Sequence, residues 1–202
     1  LGLDDTIGRY LPDFPHWNRD IITLRDLLSM RSGIGDYTKG FESADYFKEY
    51  TQDELIKRGM RHSALLSRGD FVYSNTNILI ARQMIEAATG RGCEELIREK
   101  ILVPMKLKNT YFSEEKEAIR SKLVPGYAQI KGGGRIDCTD TASSWADLAC
   151  GMYSTAADMA KWADILILGD FLGEAAQREL LNFLSVREGT EYGLCVARKT
   201  LW

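Results

Sequence analysis

The stretch Leu66-Ser67-Arg68-Gly69-Asp70-Phe71-Val72-Tyr73-Ser74-Asn75-Thr76-Asn77-Ile78-Leu79-Ile80 turns from a polar loop into a helix within a few residues. Beyond it Ile78, Leu79, Ala81, Ile85 and Ala88 keep helical spacing up to Gly90, a residue suited to a helix C-terminus. A tyrosine and an asparagine two positions apart at the mouth of such a helix can both point into one cleft. A phenol is a poor base at neutral pH unless cations lower its pKa, so a catalytic Tyr73 implies a lysine or another cation nearby. Asn75 can orient that cation or bind a substrate amide. The plainer reading of Tyr73-Ser74-Asn75 is a turn followed by a helix cap, and three residues alone do not separate the two.

On the N-terminal side, Asp4 to Tyr10 reads as a short amphipathic helix closed by Leu11-Pro12. Thr23 with Asp26 caps a second helix, whose apolar face is Leu24, Leu27, Leu28 and Met30 and whose stop is Ser32-Gly33. Thr51 with Glu54 starts a third, from about Gln52 to Met60. On the C-terminal side, Glu94 to Ile101 continues the helical pattern. From Asn109 to Ala149 the period fades into loops and short strands, including Lys131-Gly132-Gly133-Gly134. Thr155 with Asp158 caps a helix reaching Leu168, and Gly173 to Leu184 predicts another. Tyr192 to Ala197 reads as a strand with no partner, and such a strand leaves a ladder of backbone groups that a folded protein covers.

The expected fold class is therefore mainly α. A helical domain covers residues 1–189, with the irregular segment 109–149 inside it, and residues 190–202 are the first strand of a missing antiparallel sheet. That strand is expected to pair with the missing part of the protein.

At 45% hydrophobic and 27% charged residues with a net charge of −3, the composition suits a globular chain and excludes a strongly basic nucleic-acid binder. Apolar runs such as Ala163 to Leu168 are far too short for a transmembrane helix. The four cysteines lack metal-ligand spacing, so no metal or other cofactor is expected. His16 and His62 are read as solvated surface residues, which leaves a Ser-His-Asp triad poorly supplied.

Four segments in order, Ile22 to Gly33, Tyr73 to Asn77, Gly151 to Asp158 and Tyr192 to Leu194, resemble the serine penicillin-recognising enzymes. That group includes class C β-lactamases, DD-carboxypeptidases and related esterases and D-aminopeptidases. The run Arg31-Ser32-Gly33 followed by Asp36-Tyr37-Thr38 is most similar to the exocellular DD-carboxypeptidases. One departure is Ser67-Arg68-Gly69, which replaces a common Pro-Gly turn.

The resemblance implies the helical domain of a β-lactamase/transpeptidase-like α+β fold, and an acyl-enzyme acting on D-Ala-D-Ala peptides, β-lactams or esters. By the same resemblance Tyr73 is the general base or proton shuttle, Asn75 holds the lysine and a substrate carbonyl, and Trp145 walls the substrate cleft, with Tyr37, Thr38 and Phe41 beside it. Ser74 is expected to face away. It also implies that the nucleophilic serine and its lysine, in a Ser-x-x-Lys turn, lie before Leu1, and that a His-x-Gly or Lys-Thr-Gly motif lies after Trp202. The chain alone is then expected to be inactive, and a periplasmic or secreted setting is implied.

Ser113-Glu114-Glu115-Lys116 fits Ser-x-x-Lys literally but has polar flanks, and Lys199-Thr200 is followed by Leu201 where the motif has glycine, so neither is taken as the motif. Two other readings stay open: a non-catalytic binding domain on the same scaffold, and an interaction domain whose terminal strand adds to another chain.

Overall fold

The computed structural model describes residues 1–202 except 17, 64–65, 130–132, 170 and 201–202, and except the side chains of residues 148 and 150. The Lys131-Gly132 part of the glycine run and Leu201 thus lie outside the described residues.

The chain runs α1 (Ile7–Tyr10), α2 (Leu24–Leu28), a 3-10 turn (Ser43–Phe47), α3 (Gln52–Arg61), α4 (Asn75–Thr89) and α5 (Cys93–Ile97). It continues with β1 (Tyr111–Phe112), α6 (Lys116–Ile119), β2 (Tyr127–Gln129), β3 (Arg135–Asp137), α7 (Asp147–Cys150), β4 (Met152–Tyr153), α8 (Ala156–Leu168) and α9 (Gly173–Leu180). Last come β5 (Leu184–Arg187), β6 (Thr190–Tyr192) and β7 (Ala197–Lys199).

The helix starts follow their capping chemistry. In α2 and α3 the hydroxyls of Thr23 and Thr51 accept from the backbone N–H groups of Asp26 and Glu54, whose carboxylates accept from the threonine N–H groups in return. Thr155 caps α8 through the Asp158 N–H. α4 ends at Gly90, with φ 67°.

A central core is built around α4, which packs against α1, α2, α3 and α7. Ile7, Ile22, Leu27, Ile34, Leu55, Leu79, Ile80 and Met84 are buried there. A second, smaller cluster joins Leu102, Met105, Leu107 and Phe112 to Trp162 and Ile165 of α8.

Strands are more numerous than the sequence suggests. β1 pairs with β4, β2 with β3, and β6 lies between β5 and β7, all antiparallel. The mainly-α expectation with one unpartnered terminal strand is therefore corrected: among the described residues there are seven strands in three sheets. Two physical reasons account for the difference. The helix expected to reach Leu184 stops at Leu180, whose carbonyl accepts Leu194 N–H at 3.1 Å, and the freed Leu184 then pairs with Tyr192. Tyr192 to Ala197 is not one strand but a tight reversal between β6 and β7, closed by Gly193 N–H donating to Val196 O at 2.8 Å. A Cβ on Gly193 would fall 2.3 Å from Leu180 O, so this turn requires glycine.

Candidate active site

At the start of α4, four successive side chains reach toward α2 and the segment from Ser32 to Tyr37. Ser74 Oγ donates to Gly35 O at 3.0 Å, and Thr76 Oγ1 donates to the same carbonyl at 2.7 Å while accepting Tyr37 N–H at 3.0 Å. Asn75 Nδ2 donates to the Asp36 carboxylate at 3.0 and 3.3 Å. Asn77 Oδ1 accepts Ser32 Oγ at 2.7 Å, and Asn77 Nδ2 donates to Leu27 O at 3.1 Å. Ser74, Thr76 and Asn77 are fully buried, so Ser74 does turn away from the cleft side. The join is close enough to need glycine at position 59, where a Cβ would sit 2.1 Å from Thr76 Oγ1.

Tyr73 and Asn75 are the pair this frame presents. The Tyr73 ring is half exposed, and its hydroxyl donates to Asn75 Oδ1 at 3.2 Å. The approach to Tyr73 is held by Val72 N–H donating to Met30 O at 2.9 Å, and Met30 itself ends the α2 turn in the left-handed region, at φ 60°.

A cavity of about 330 Å³ opens beside Tyr73, lined by Leu28, Met30, Ile78, Ala81 and Tyr192 among others. Burial, followed by the charges of Cys195 and Tyr73, pushes the Tyr192 phenol up, so it stays protonated at neutral pH. Arg82 lines the same cavity. Burial opposes its charge, but Asp147, Glu94 and Glu86 outweigh that and push its pKa up. Arg82 is a fixed charge and not a proton carrier.

Trp145 belongs to a different part of the frame. Its carbonyl accepts the Tyr37 hydroxyl at 2.5 Å, and its ring meets Tyr46 edge-on with centroids 5.0 Å apart. Phe41 stacks on Tyr50 at 5.6 Å and lies under the Arg58 guanidinium at 4.7 Å. Backbone bonds from Ala142 to Tyr46 O and from Tyr50 to Ser144 Oγ, each 2.9 Å, tie the two loops together. Trp145 is not among the residues lining the Tyr73 cavity; it is joined to the start of α4 through Tyr37, whose hydroxyl donates to Trp145 O and whose N–H donates to Thr76 Oγ1.

Other sequence expectations are changed or missed. His16 is 7% exposed and not a solvated surface residue: it accepts Asn18 N–H on Nδ1 at 3.1 Å, and burial pulls its pKa down. Cys93 is a buried thiol, pushed up to about 12 by burial and then by Glu86. Ser113 is buried, but the helix its motif opens is the four-residue α6 and Lys116 pairs with Asp140. Asp36 enters the sequence reading only within the run Asp36-Tyr37-Thr38, and Arg82 not at all. Nothing in their spacing distinguishes them from surface charges; the fold brings Asp36 to the start of α4 and sets Arg82, midway along that helix, against Glu94 and Asp147. Among the described residues no group of three or more His, Cys, Asp or Glu side chains is placed to hold a metal ion, and no helix is long and apolar enough to cross a membrane.

The chain thus presents a Tyr-x-Asn pair at the mouth of a buried helix, in a fold of helices and small antiparallel sheets. The family model described as Beta-lactamase matches residues 1–197, and the chain belongs to that family. The solved D-stereospecific amidohydrolase from Streptomyces sp. superimposes with a TM-score of 0.89 at 26% identity, covering 100% of this chain and 64% of that one. Unguisins hydrolase ungD' of Aspergillus campestris is 29% identical over 163 residues, 75% of this chain and 29% of its own length. Teichoic acid D-alanine hydrolase of Staphylococcus aureus is 28% identical over 137 residues, 66% of this chain and 32% of its own length. The matched part thus spans about a third of the curated relatives, and all three relatives are named as hydrolases.

Proposed function

We propose that this chain is part of a serine hydrolase that works through an acyl-enzyme on amide or ester substrates. The observation that carries this reading is the Tyr73–Asn75 pair, joined at 3.2 Å and held at the start of α4 by a buried frame in a chain of the Beta-lactamase family. In the proposed reaction Tyr73 takes the proton of a serine hydroxyl as it attacks the substrate carbonyl, and hands it to the leaving amine or alcohol. Water then attacks the acyl carbonyl and gives its proton to the Tyr73 phenolate, which passes that proton to the serine oxygen as the acyl bond breaks. Asn75 orients the cation that makes the phenol basic. The serine and its lysine are supplied from outside residues 1–202, because the one Ser-x-x-Lys inside them opens only the short helix α6. Substrates with a D-amino acid on the acyl side of the bond suit this reading, since two of the relatives are named for D-stereospecific and D-alanine hydrolysis.

The test is covalent labelling of the purified 202-residue chain with a fluorescent penicillin and with a fluorophosphonate. The expected result is no labelled serine, and stoichiometric labelling of any serine in the chain overturns the assignment. In the longer protein that supplies the serine, Tyr73→Phe is expected to lower kcat by roughly 10²- to 10⁴-fold with the acylation step slowed. Unchanged turnover there would remove Tyr73 from the mechanism.

A further inference from the structure

We propose that Asp36 is a positioning residue for this site: its carboxylate determines which end of the Asn75 carboxamide faces Tyr73. The placement itself stands on geometry, and only its catalytic consequence rests on the hydrolase reading. An ionised carboxylate accepts hydrogen bonds and donates none, whereas a carboxamide has one donor end and one acceptor end. Asp36 Oδ2 and Oδ1 lie 3.0 and 3.3 Å from Asn75 Nδ2, so the NH₂ end must face Asp36. Turning the amide over would set Asn75 Oδ1 against the carboxylate with no proton between them and would lose a charge-assisted bond. Asn75 Oδ1 is therefore committed to Tyr73, 3.2 Å from the phenol oxygen, and the phenol is the donor.

Asp36 is itself well held. Its Oδ1 accepts Thr38 N–H at 2.9 Å, and its neighbours Gly35 and Tyr37 are bonded to Ser74 and Thr76. It also sits at the N-terminal end of α4, a 15-residue helix whose dipole favours a negative charge there.

The chemical consequence is that two oxygens, on Tyr73 and Asn75, share one proton. When the phenol gives that proton up, the two oxygens repel unless a cation lies against both. Asp36 forbids the alternative in which the Asn75 NH₂ swings round to stabilise the phenolate. It thereby removes the Asn75 NH₂ as a donor to the phenolate, so that losing the proton costs more at Tyr73 than it would with the amide turned over.

The experiment follows the Tyr73 phenol by carbon-13 tyrosine labelling and pH titration in the 202-residue chain, in Asp36→Asn and Asp36→Ala. The other titratable and charged groups lining its cavity, Tyr192, Cys195 and Arg82, are left as they are. Both variants free the Asn75 amide to turn its NH₂ toward the phenolate and remove a nearby negative charge. The expected result is a fall of the Tyr73 midpoint by roughly 0.5 to 1 pH unit in each. Asp36→Glu is expected to restore part of the difference. An unchanged or raised midpoint in folded Asp36→Asn, which is nearly isosteric and keeps the fold, overturns the proposal. Should the hydrolase reading fail, the longer protein shows no turnover in any form, while this titration still decides the role of Asp36.

Discussion

Asn77 has no exposed surface, and both ends of its carboxamide are used, one by Ser32 and one by the Leu27 carbonyl. Asn75, two residues earlier, faces the cleft side and meets partners that water can partly replace. The same residue type therefore carries two different loads. Asn77→Leu leaves the buried Ser32 hydroxyl without its acceptor and takes one of two donors from the Leu27 carbonyl, and is expected to cost about 2 kcal/mol, read from the urea unfolding midpoint. Asn75→Ala is expected to cost less than about 1 kcal/mol in the same assay. Equal losses would mean that the cleft-facing and buried ends of this motif are not distinct. That Tyr73 and Asn75 share one side of the start of α4 is legible in the sequence from their two-residue spacing at a helix mouth, and their side chains meet at 3.2 Å. The roles of Asn77, Thr76 and Asp36 are not legible there, since hydrogen bonds between residues 39 to 45 positions apart leave no local pattern.

Among the elements, helices with a threonine cap and an acidic residue three positions on were readable to within a residue or two at their starts, because the capping box is a local reaction of side chain with backbone. The strands were not, because they are two to four residues long and too short to show alternation. The 3-10 turn Ser43–Phe47, which carries Tyr46 against Trp145, was missed for the same reason, and its stability has a definite pH sign. Asp45 bonds Lys48, the Glu42 N–H and the Tyr50 hydroxyl, and the first two hold its carboxyl down at about 2. Its folded value lies below the unfolded value of about 3.9, so its contribution is present above about pH 4 and is lost as pH falls through about 2. The Tyr46 and Tyr50 ring signals are expected to lose their dispersion over that interval before the central core unfolds. In Asp45→Asn the acid step should vanish, and a step of the same size in that variant would assign it to another carboxylate.

For the whole molecule, the Tyr73–Asn75 pair and the aromatic cluster around Trp145 are carried by different segments, and one part-buried cation links three helices. Arg82 on α4 pairs with Glu86 on the same helix, Glu94 on α5 and Asp147 on α7, at 3.1, 2.6 and 2.8 Å. Asp147 follows two residues after Trp145 and holds a left-handed φ of 37°, so the ion pair ties down the strained turn beside that cluster. Arg82→Met fits the space but takes the shared cation from three carboxylates in a poorly hydrated site. The expected loss is about 2 kcal/mol at pH 7, because removing one partner of a part-buried ion-pair cluster leaves the others incompletely solvated. The deficit of Arg82→Met against the unaltered chain is measured as the difference in melting temperature at pH 7. Adding Glu94→Gln to Arg82→Met should recover part of the loss by removing one of the stranded charges. No recovery in the double variant would mean that Arg82 acts through the packing of its methylene stem and not as the charge that joins α4, α5 and α7.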